Sequence, residues 1–190
     1  MPLESKATWD ELDSPFYIEN KRIAESWEEF AACFNAQSTG AYNAYAFKVR
    51  STINIRMMWN LEVSRSHYNL APQVRSLSTE FNKKLSVVDL VVLCTNQIPN
   101  QIKPFKIKRQ NLLSSLFQIG LPTVFSAKYR VFGKGRNDPF TVTIQQLLEQ
   151  EIRQEKLFQA ELKNGELEIR ISDSLDCFST IRSILRTNLS

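Results

Sequence analysis

The alternation of apolar and polar residues predicts β-strands in several parts of this chain. The clearest period of two lies in residues 52–63, where six apolar side chains occupy every second position. Residues 44–50 are also strand-like, Phe105–Arg109 and residues 124–132 alternate, and residues 87–95 form a β-branched apolar run typical of a central strand. These five segments predict a substantial β-sheet.

Apolar residues three and four positions apart predict two main helices. Residues 18–35 place Trp27 and Phe30 on one helical face. Residues 141–158 show the same spacing and follow Asp138, which is placed as an N-cap. Both segments therefore have the pattern of surface helices that bury one side.

The last part of the chain predicts a hairpin and a closing helix. Asn164-Gly165 lies between residues 158–162 and Glu166–Ile171, and this dipeptide favours a type I′ turn. Residues 175–186 follow with a helical apolar spacing.

The order of these elements favours an α+β fold, because strands and helices do not alternate regularly as in a doubly wound parallel sheet. We expect a mostly antiparallel sheet of about five to seven strands. Two main helices, residues 18–35 and 141–157, are expected to pack on one face of it. Residues 1–17 are expected to form an acidic N-terminal arm, and residues 18–190 a single α+β domain.

Composition narrows the class of protein. The chain of 190 residues is 43% hydrophobic and 11% aromatic, which is typical of a folded domain. Its apolar runs are far shorter than the roughly 20 residues of a membrane span, and its polar, acidic start differs from a signal peptide. Three widely spaced cysteines argue against a disulfide framework. We therefore expect a cytoplasmic protein without a membrane span.

Charge is the strongest functional signal in the sequence. Between Asp89 and Asp138 there is no acidic residue, whereas the first thirty residues carry eight acids and only three bases. A local field of one sign attracts a partner of the opposite sign. The acid-free stretch holds eight cations: Lys103, Lys106, Lys108, Arg109, Lys128, Arg130, Lys134 and Arg136.

Strand periodicity gives these cations a testable arrangement. Lys106 and Lys108 share one face of their predicted strand, and Lys128 and Arg130 share one face of theirs. If the two faces coincide, the sheet presents four cations to an anionic partner. The alternative interpretation is that these are ordinary solvent-facing positions, where Lys discourages pairing between strand edges.

Other candidate sites are weaker. Residues 133–138 place two glycines between a strand and a helix, but they lack the spacing of known phosphate-binding loops, so a plain turn is the alternative. His67 is the single histidine, and the cysteines lack ligand spacing, so we expect neither metal nor cofactor. Trp9 lies in the polar acidic arm, where an aromatic residue favours docking of the arm on its own domain or on another copy; a disordered terminus is the alternative.

The order of elements resembles a group of uncharacterised bacterial proteins, often membrane-tethered. The resemblance covers roughly residues 20–172. It includes the helix with Trp27-Glu28-Glu29-Phe30-Ala31, the strands, the polar loop and helix after residues 124–132, and the Asn164-Gly165 hairpin. That group has no assigned activity, so the resemblance implies no function and no site residues.

The sequence thus predicts a non-enzymatic binding or adaptor protein. Its basic residues 103–136 are expected to bind an acidic protein surface or another copy of the chain. One alternative is a nucleic-acid-binding protein, including a viral or phage structural protein. The other alternative is an enzyme with no recognisable motif.

Overall fold

The computed structural model describes residues 3–69, 85–109, 124–126, 129–172, 177–187 and 189. The strands are β1 (Leu3–Ser5), β2 (Ser38–Tyr42), β3 (Ala46–Asn54), β4 (Met58–Asn69), β5 (Leu85–Thr95), β6 (Phe105–Arg109), β7 (Val124–Ser126), β8 (Tyr129–Phe132), β9 (Leu157–Lys163) and β10 (Glu166–Ile171). The helices are α1 (Pro15–Ala32), α2 (Pro139–Leu147), α3 (Glu149–Arg153) and α4 (Phe178–Arg186), and Trp9–Glu11 form a 3-10 turn.

The strands of the described residues form one sheet in the order β1-β2-β3-β4-β5-β10-β9-β6-β8-β7. The β9–β10 hairpin inserts between β5 and β6, so the second half of the sheet joins the first through the C-terminal part of the chain. All neighbours are antiparallel except β1 and β2, which are parallel. The α+β class is confirmed. The predicted strand number was too low, and the sheet is mixed.

Residues 52–63 do not form one strand, as the alternation predicted. The chain turns back at residues 55–57, so that Asn54 pairs with Met58 and Ile53 with Trp59. Cross-strand partners lie on the same face, and here their numbers differ by an even amount. The alternation of faces therefore continues unbroken through the turn, which explains why the sequence pattern did not reveal the turn.

Two other predicted segments are also divided. Residues 124–132 fold back as β7 and β8 with an irregular register between them. The helix predicted over residues 141–158 ends earlier, as α2 and α3, and Glu155 then adopts a positive φ of 61°. Leu157 is thus the first residue of β9 and packs in the core from a strand.

The two faces of the sheet differ in composition. The face that we call the inner face joins the apolar residues of the four helices in one core. One row of cross-strand partners shows this, because each residue pairs with the next and every one is buried: Leu61, Leu93, Ile169, Ala160, Ile107 and Val131. The opposite, outer face carries the alternate residues of the same strands, which are polar or charged at most positions.

Arg65 fixes α1 to the inner face. Its guanidinium donates to both oxygens of Asp89 on β5, at 2.6 and 2.9 Å, and forms an ion pair with Glu19 of α1 at 2.9 Å. Its side chain is only 9% exposed and lies 5.8 Å from the ring centre of Phe47. The hydrogen bonds to Asp89 are the main cause of a raised pKa of Arg65, against the effect of burial, so Arg65 stays charged over the whole physiological range.

Candidate functional site

The register places predicted basic residues together on the outer face. Lys108 of β6 pairs directly with Arg130 of β8, and Lys106 pairs with Phe132. Residues directly opposite in a sheet point to the same side, so these three cations and Phe132 share one face. Lys128, the fourth residue of that prediction, lies outside the described residues.

Neighbouring side chains modify the charge of this group. Lys106 forms an ion pair with Glu161 of β9, with 2.8 Å between Nζ and Oε2. Lys108 is exposed, and its ammonium nitrogen lies 5.6 Å from the ring centre of Phe132. The exposed positive charge of the group is therefore centred on Lys108.

The other predicted basic residues do not join that face. Arg109 falls on the inner side of β6 and pairs with Glu155 at 2.5 Å. Lys103, Lys134 and Arg136 are exposed in two loops that touch each other before β6 and after β8. The contact is close, because Gly135 donates to the carbonyl of Pro104 at 3.0 Å.

That contact explains the glycines of residues 133–138. A Cβ on Gly135 would lie 2.3 Å from the carbonyl oxygen of Lys103, and one on Gly133 would lie 2.5 Å from that of Pro104. Gly133 also has a φ of 101°. Asp138 accepts from the backbone N–H of Phe140 as the N-cap of α2. The glycines therefore serve loop-to-loop packing, and the capping carboxylate occupies the helix N-terminus.

The acidic arm lies at the far edge of the sheet from these cations. Leu3–Ser5 form the edge strand β1, at the opposite end of the strand order from β8 and β7. The side chain of Glu11 accepts from the backbone N–H of Ala44, which holds the 3-10 turn near the β2–β3 connection. Trp9 is 87% exposed. In this structure the arm therefore does not cover the basic residues of its own chain.

A groove crosses the other half of the outer face. Its volume is about 860 Å³, and it lies over β3, β4, β5 and β10. It is lined by Gln37, Thr39, Arg50, Ser51, Thr52, Asn60, Leu61, Glu62, Leu90, Val92, Cys94, Glu168 and Arg170. Clefts of this size commonly hold small molecules.

Ion pairs flank the groove on two sides. Glu62 accepts from Arg50 Nε at 2.7 Å and from Lys48 Nζ at 2.7 Å. Burial acts to raise the pKa of Glu62, but the hydrogen bonds from Lys48 and Arg50 outweigh it and lower that pKa. On the other side, Arg170 lies 2.7 Å from Glu168. Glu62 is thus ionised at neutral pH, and each of the two carboxylates is paired with an arginine.

The floor of the groove is apolar. Leu90, Val92 and Cys94 occupy successive outward positions of β5 and are partly exposed. Burial, and then the charge of Glu168, raises the pKa of the Cys94 thiol to about 11. Cys94 is therefore protonated at neutral pH and acts as a small apolar residue rather than as a nucleophile.

The sequence analysis did not find the groove residues. Arg50 and Arg170 lie outside the acid-free stretch, and each pairs with an acid, Arg50 with Glu62 of the neighbouring strand and Arg170 with Glu168 of its own strand. One signal was present, namely the continuous apolar character of residues 87–95, which predicts a strand that is apolar on both faces.

The described parts of the chain contain no group of three or more side chains suited to hold a metal ion. Within the same residues, none of the helices combines the length and apolar character that a bilayer crossing requires. Comparison with protein-family models, with curated proteins and with solved structures finds no match to this chain.

Proposed function

We propose that the chain is a non-enzymatic binding or adaptor protein that binds an acidic protein segment through Lys106, Lys108 and Arg130. The pairing of Lys108 with Arg130 carries this proposal. Like charges directly opposite each other in a sheet are destabilising by a few tenths of a kcal/mol or more. Residues that conflict with local stability are typical of sites that serve binding.

The neighbourhood supports a protein segment as the partner. Phe132 provides an apolar surface beside Lys108, and Glu161 partly neutralises the positive charge of Lys106. A mixed surface of this kind fits an acidic peptide with apolar residues better than a uniformly charged phosphate backbone. The arm of a second copy has that composition, with Glu4, Asp10, Glu11 and Asp13 around Trp9.

A peptide of residues 3–17 tests the proposal directly. We expect it to bind the wild-type protein in fluorescence anisotropy and to weaken as salt rises, because surface charges are screened. Lys108→Glu should weaken the binding at least tenfold. Lys21→Glu is the matched control, since Lys21 is an exposed cation of α1 whose ion pair with Glu25 is long, at 3.8 Å. It should change the affinity by less than twofold.

The same variant separates a binding role from a structural one. Lys108→Glu replaces a repulsive pair with an attractive one, so we expect the free energy of unfolding to rise by about 0.2–1 kcal/mol while binding is lost. Loss of both binding and stability would show that Lys108 acts in the fold alone. If a generic oligonucleotide binds more tightly than the peptide at equal salt, the partner is nucleic acid. If neither binds, the proposal is wrong.

A further inference from the structure

We infer that the groove over β3, β4, β5 and β10 is a binding site for a small amphipathic carboxylate, such as a medium-chain acyl carboxylate. The apolar body would lie on Leu90, Val92 and Cys94, and Arg50 would hold the carboxylate. This site is separate from the surface around Lys108, and its occupant is a small molecule rather than a protein segment.

The apolar floor is the first observation that carries this inference. In an antiparallel sheet with one covered face, outward positions are normally polar. The neighbours of β5 obey that rule, since Glu62 and Asn60 on one side and Glu168 on the other are its cross-strand partners. Val92 and Cys94 break it, at the centre of the sheet. A narrow apolar strip between polar walls fits a chain-like apolar ligand.

Arg50 is the second observation. It uses only its Nε to bind Glu62, and its side chain is 60% exposed. Within the part of the chain that the structure describes, neither of its terminal amino groups has a hydrogen-bond partner. Glu62 binds the Nε of Arg50 through one carboxylate oxygen and Lys48 through the other. A guanidinium fork matches a carboxylate through two parallel hydrogen bonds.

Arg170 has a different position in the groove. A terminal nitrogen of its guanidinium donates to Glu168 at 3.0 Å, and its buried Nε lies 2.7 Å from the other oxygen of that carboxylate in an ion pair without hydrogen-bond geometry. Glu168 thus occupies a terminal nitrogen of Arg170, whereas Glu62 contacts only the Nε of Arg50. We therefore assign the ligand's carboxylate to Arg50 and the opposite wall to the Arg170–Glu168 pair.

The distance across the strands sets the kind of ligand. Arg50 pairs with Glu62, which in turn pairs with Val92, so two strand spacings of together about 9.6 Å separate the backbone of Arg50 from that of Val92. A ligand whose carboxylate binds Arg50 and whose body lies on Val92 extends across the intervening strand. An apolar body of several carbon atoms suits that span.

The cysteines provide a position-specific assay. Cys94 lies in the floor of the groove, Cys33 is exposed at the end of α1, and Cys177 is buried in the core. Decanoate is added to the folded protein at pH 8.5, and the alkylation of each cysteine by iodoacetamide is followed by mass spectrometry. We expect saturating decanoate to slow the alkylation of Cys94 at least tenfold and to leave Cys33 unchanged.

Variants and ligand analogues identify the carboxylate contact. Arg50→Gln should raise the decanoate concentration that half-protects Cys94 at least tenfold. Lys21→Gln, which lies on α1 outside the groove and outside the surface around Lys108, should leave that concentration within twofold of the wild-type value. Decanol, which has the same chain without the charge, should protect at least tenfold less well than decanoate.

Each opposite outcome overturns a stated part of the inference. Absence of Cys94 protection, or equal slowing at Cys33, would show that the groove does not bind the ligand. Equal protection by decanol, or an unchanged value for Arg50→Gln, would remove the carboxylate contact. Val92→Glu places a charge in the floor and should abolish protection; circular dichroism checks that this variant is folded, and protection that persists in it would place the ligand elsewhere.

Discussion

Arg65 gives the strongest prediction for stability, and Arg65→Met is the perturbation. The substitution keeps an unbranched side chain of similar length but removes the charge and every hydrogen-bond donor. In the wild type these donors contact Asp89 through two bonds and also Glu19 and Asn20. The variant removes the guanidinium from the carboxylate of Asp89, which is 15% exposed.

The expected loss follows from this burial. Removing one member of a buried ion pair costs about 3–5 kcal/mol, because the remaining charge stays desolvated. Glu19 adds little to this figure, since its side chain is 44% exposed and can turn to water. We therefore expect Arg65→Met to lower the free energy of unfolding by about 3–5 kcal/mol, a large part of the stability of an ordinary domain.

Arg50→Met is the matched control on the outer face. Arg50 also pairs with an acid directly across from it on the neighbouring strand, but its side chain is 60% exposed. Exposed ion pairs contribute about 0–1 kcal/mol. Urea denaturation of both variants should therefore give a much larger shift in midpoint for Arg65→Met, with slopes that remain similar.

A double-mutant cycle with Asp89→Asn tests the cause. If the loss arises from the desolvated charge of Asp89 that Arg65 no longer balances, the double variant should be more stable than the sum of the single effects by about 1–3 kcal/mol. Additive effects would refute the ion pair as the source. A loss below about 1 kcal/mol for Arg65→Met would refute the argument from burial.

Two further predictions concern single residues. Burial and the charge of Glu168 raise the pKa of the Cys94 thiol to about 11, so only about 1% is thiolate at pH 9 and its alkylation rate should keep rising up to about pH 11. Glu168→Gln should move that rise to lower pH. An unchanged pH profile in this variant would contradict the contribution assigned to Glu168. Gly40 has a φ of 154°, and a Cβ there would lie 1.9 Å from the carbonyl oxygen of Lys48. Gly40→Ala should therefore separate β2 from β3 and lower the free energy of unfolding by about 2–4 kcal/mol in urea denaturation. The control Thr39→Ala should lower it by less than about 1 kcal/mol.

The sequence predicted the elements that follow one period over their whole length. Phe105–Arg109 and Glu166–Ile171 have the predicted bounds, and the hairpin turn lies at Asn164 and Gly165. Asn164 and Gly165 both have positive φ, which is the local requirement that the dipeptide meets. A turn of this kind is determined by adjacent residues, so it can be recognised without knowledge of the fold.

Pairing between distant strands was not predictable in the same way. The insertion of β9 and β10 between β5 and β6 depends on which buried edges fit each other, and no local pattern encodes that choice. The short strands β1 and β2 were missed because three and five residues give too few repeats to show a period. The groove could not be predicted for both reasons, since Thr39 of β2 and Glu168 and Arg170 of β10 line it.

The two arginines show why charge along the chain is a poor guide to charge at a site. Arg65 and Arg50 lie on neighbouring strands, and each pairs with an acid across the sheet. Arg65 faces the core, so its charge is enclosed by Asp89 and α1 and serves the fold. Arg50 faces outward, so part of its guanidinium stays open to a ligand. The difference arises from which face each position takes in its strand. Because residues 55–57 reverse the chain without interrupting the alternation, Arg50 and Arg65, with an even and an odd number, lie on opposite faces of one sheet. The alternation shows neither which face is covered by the helices nor which acid lies across from each arginine, since both depend on the pairing of distant strands.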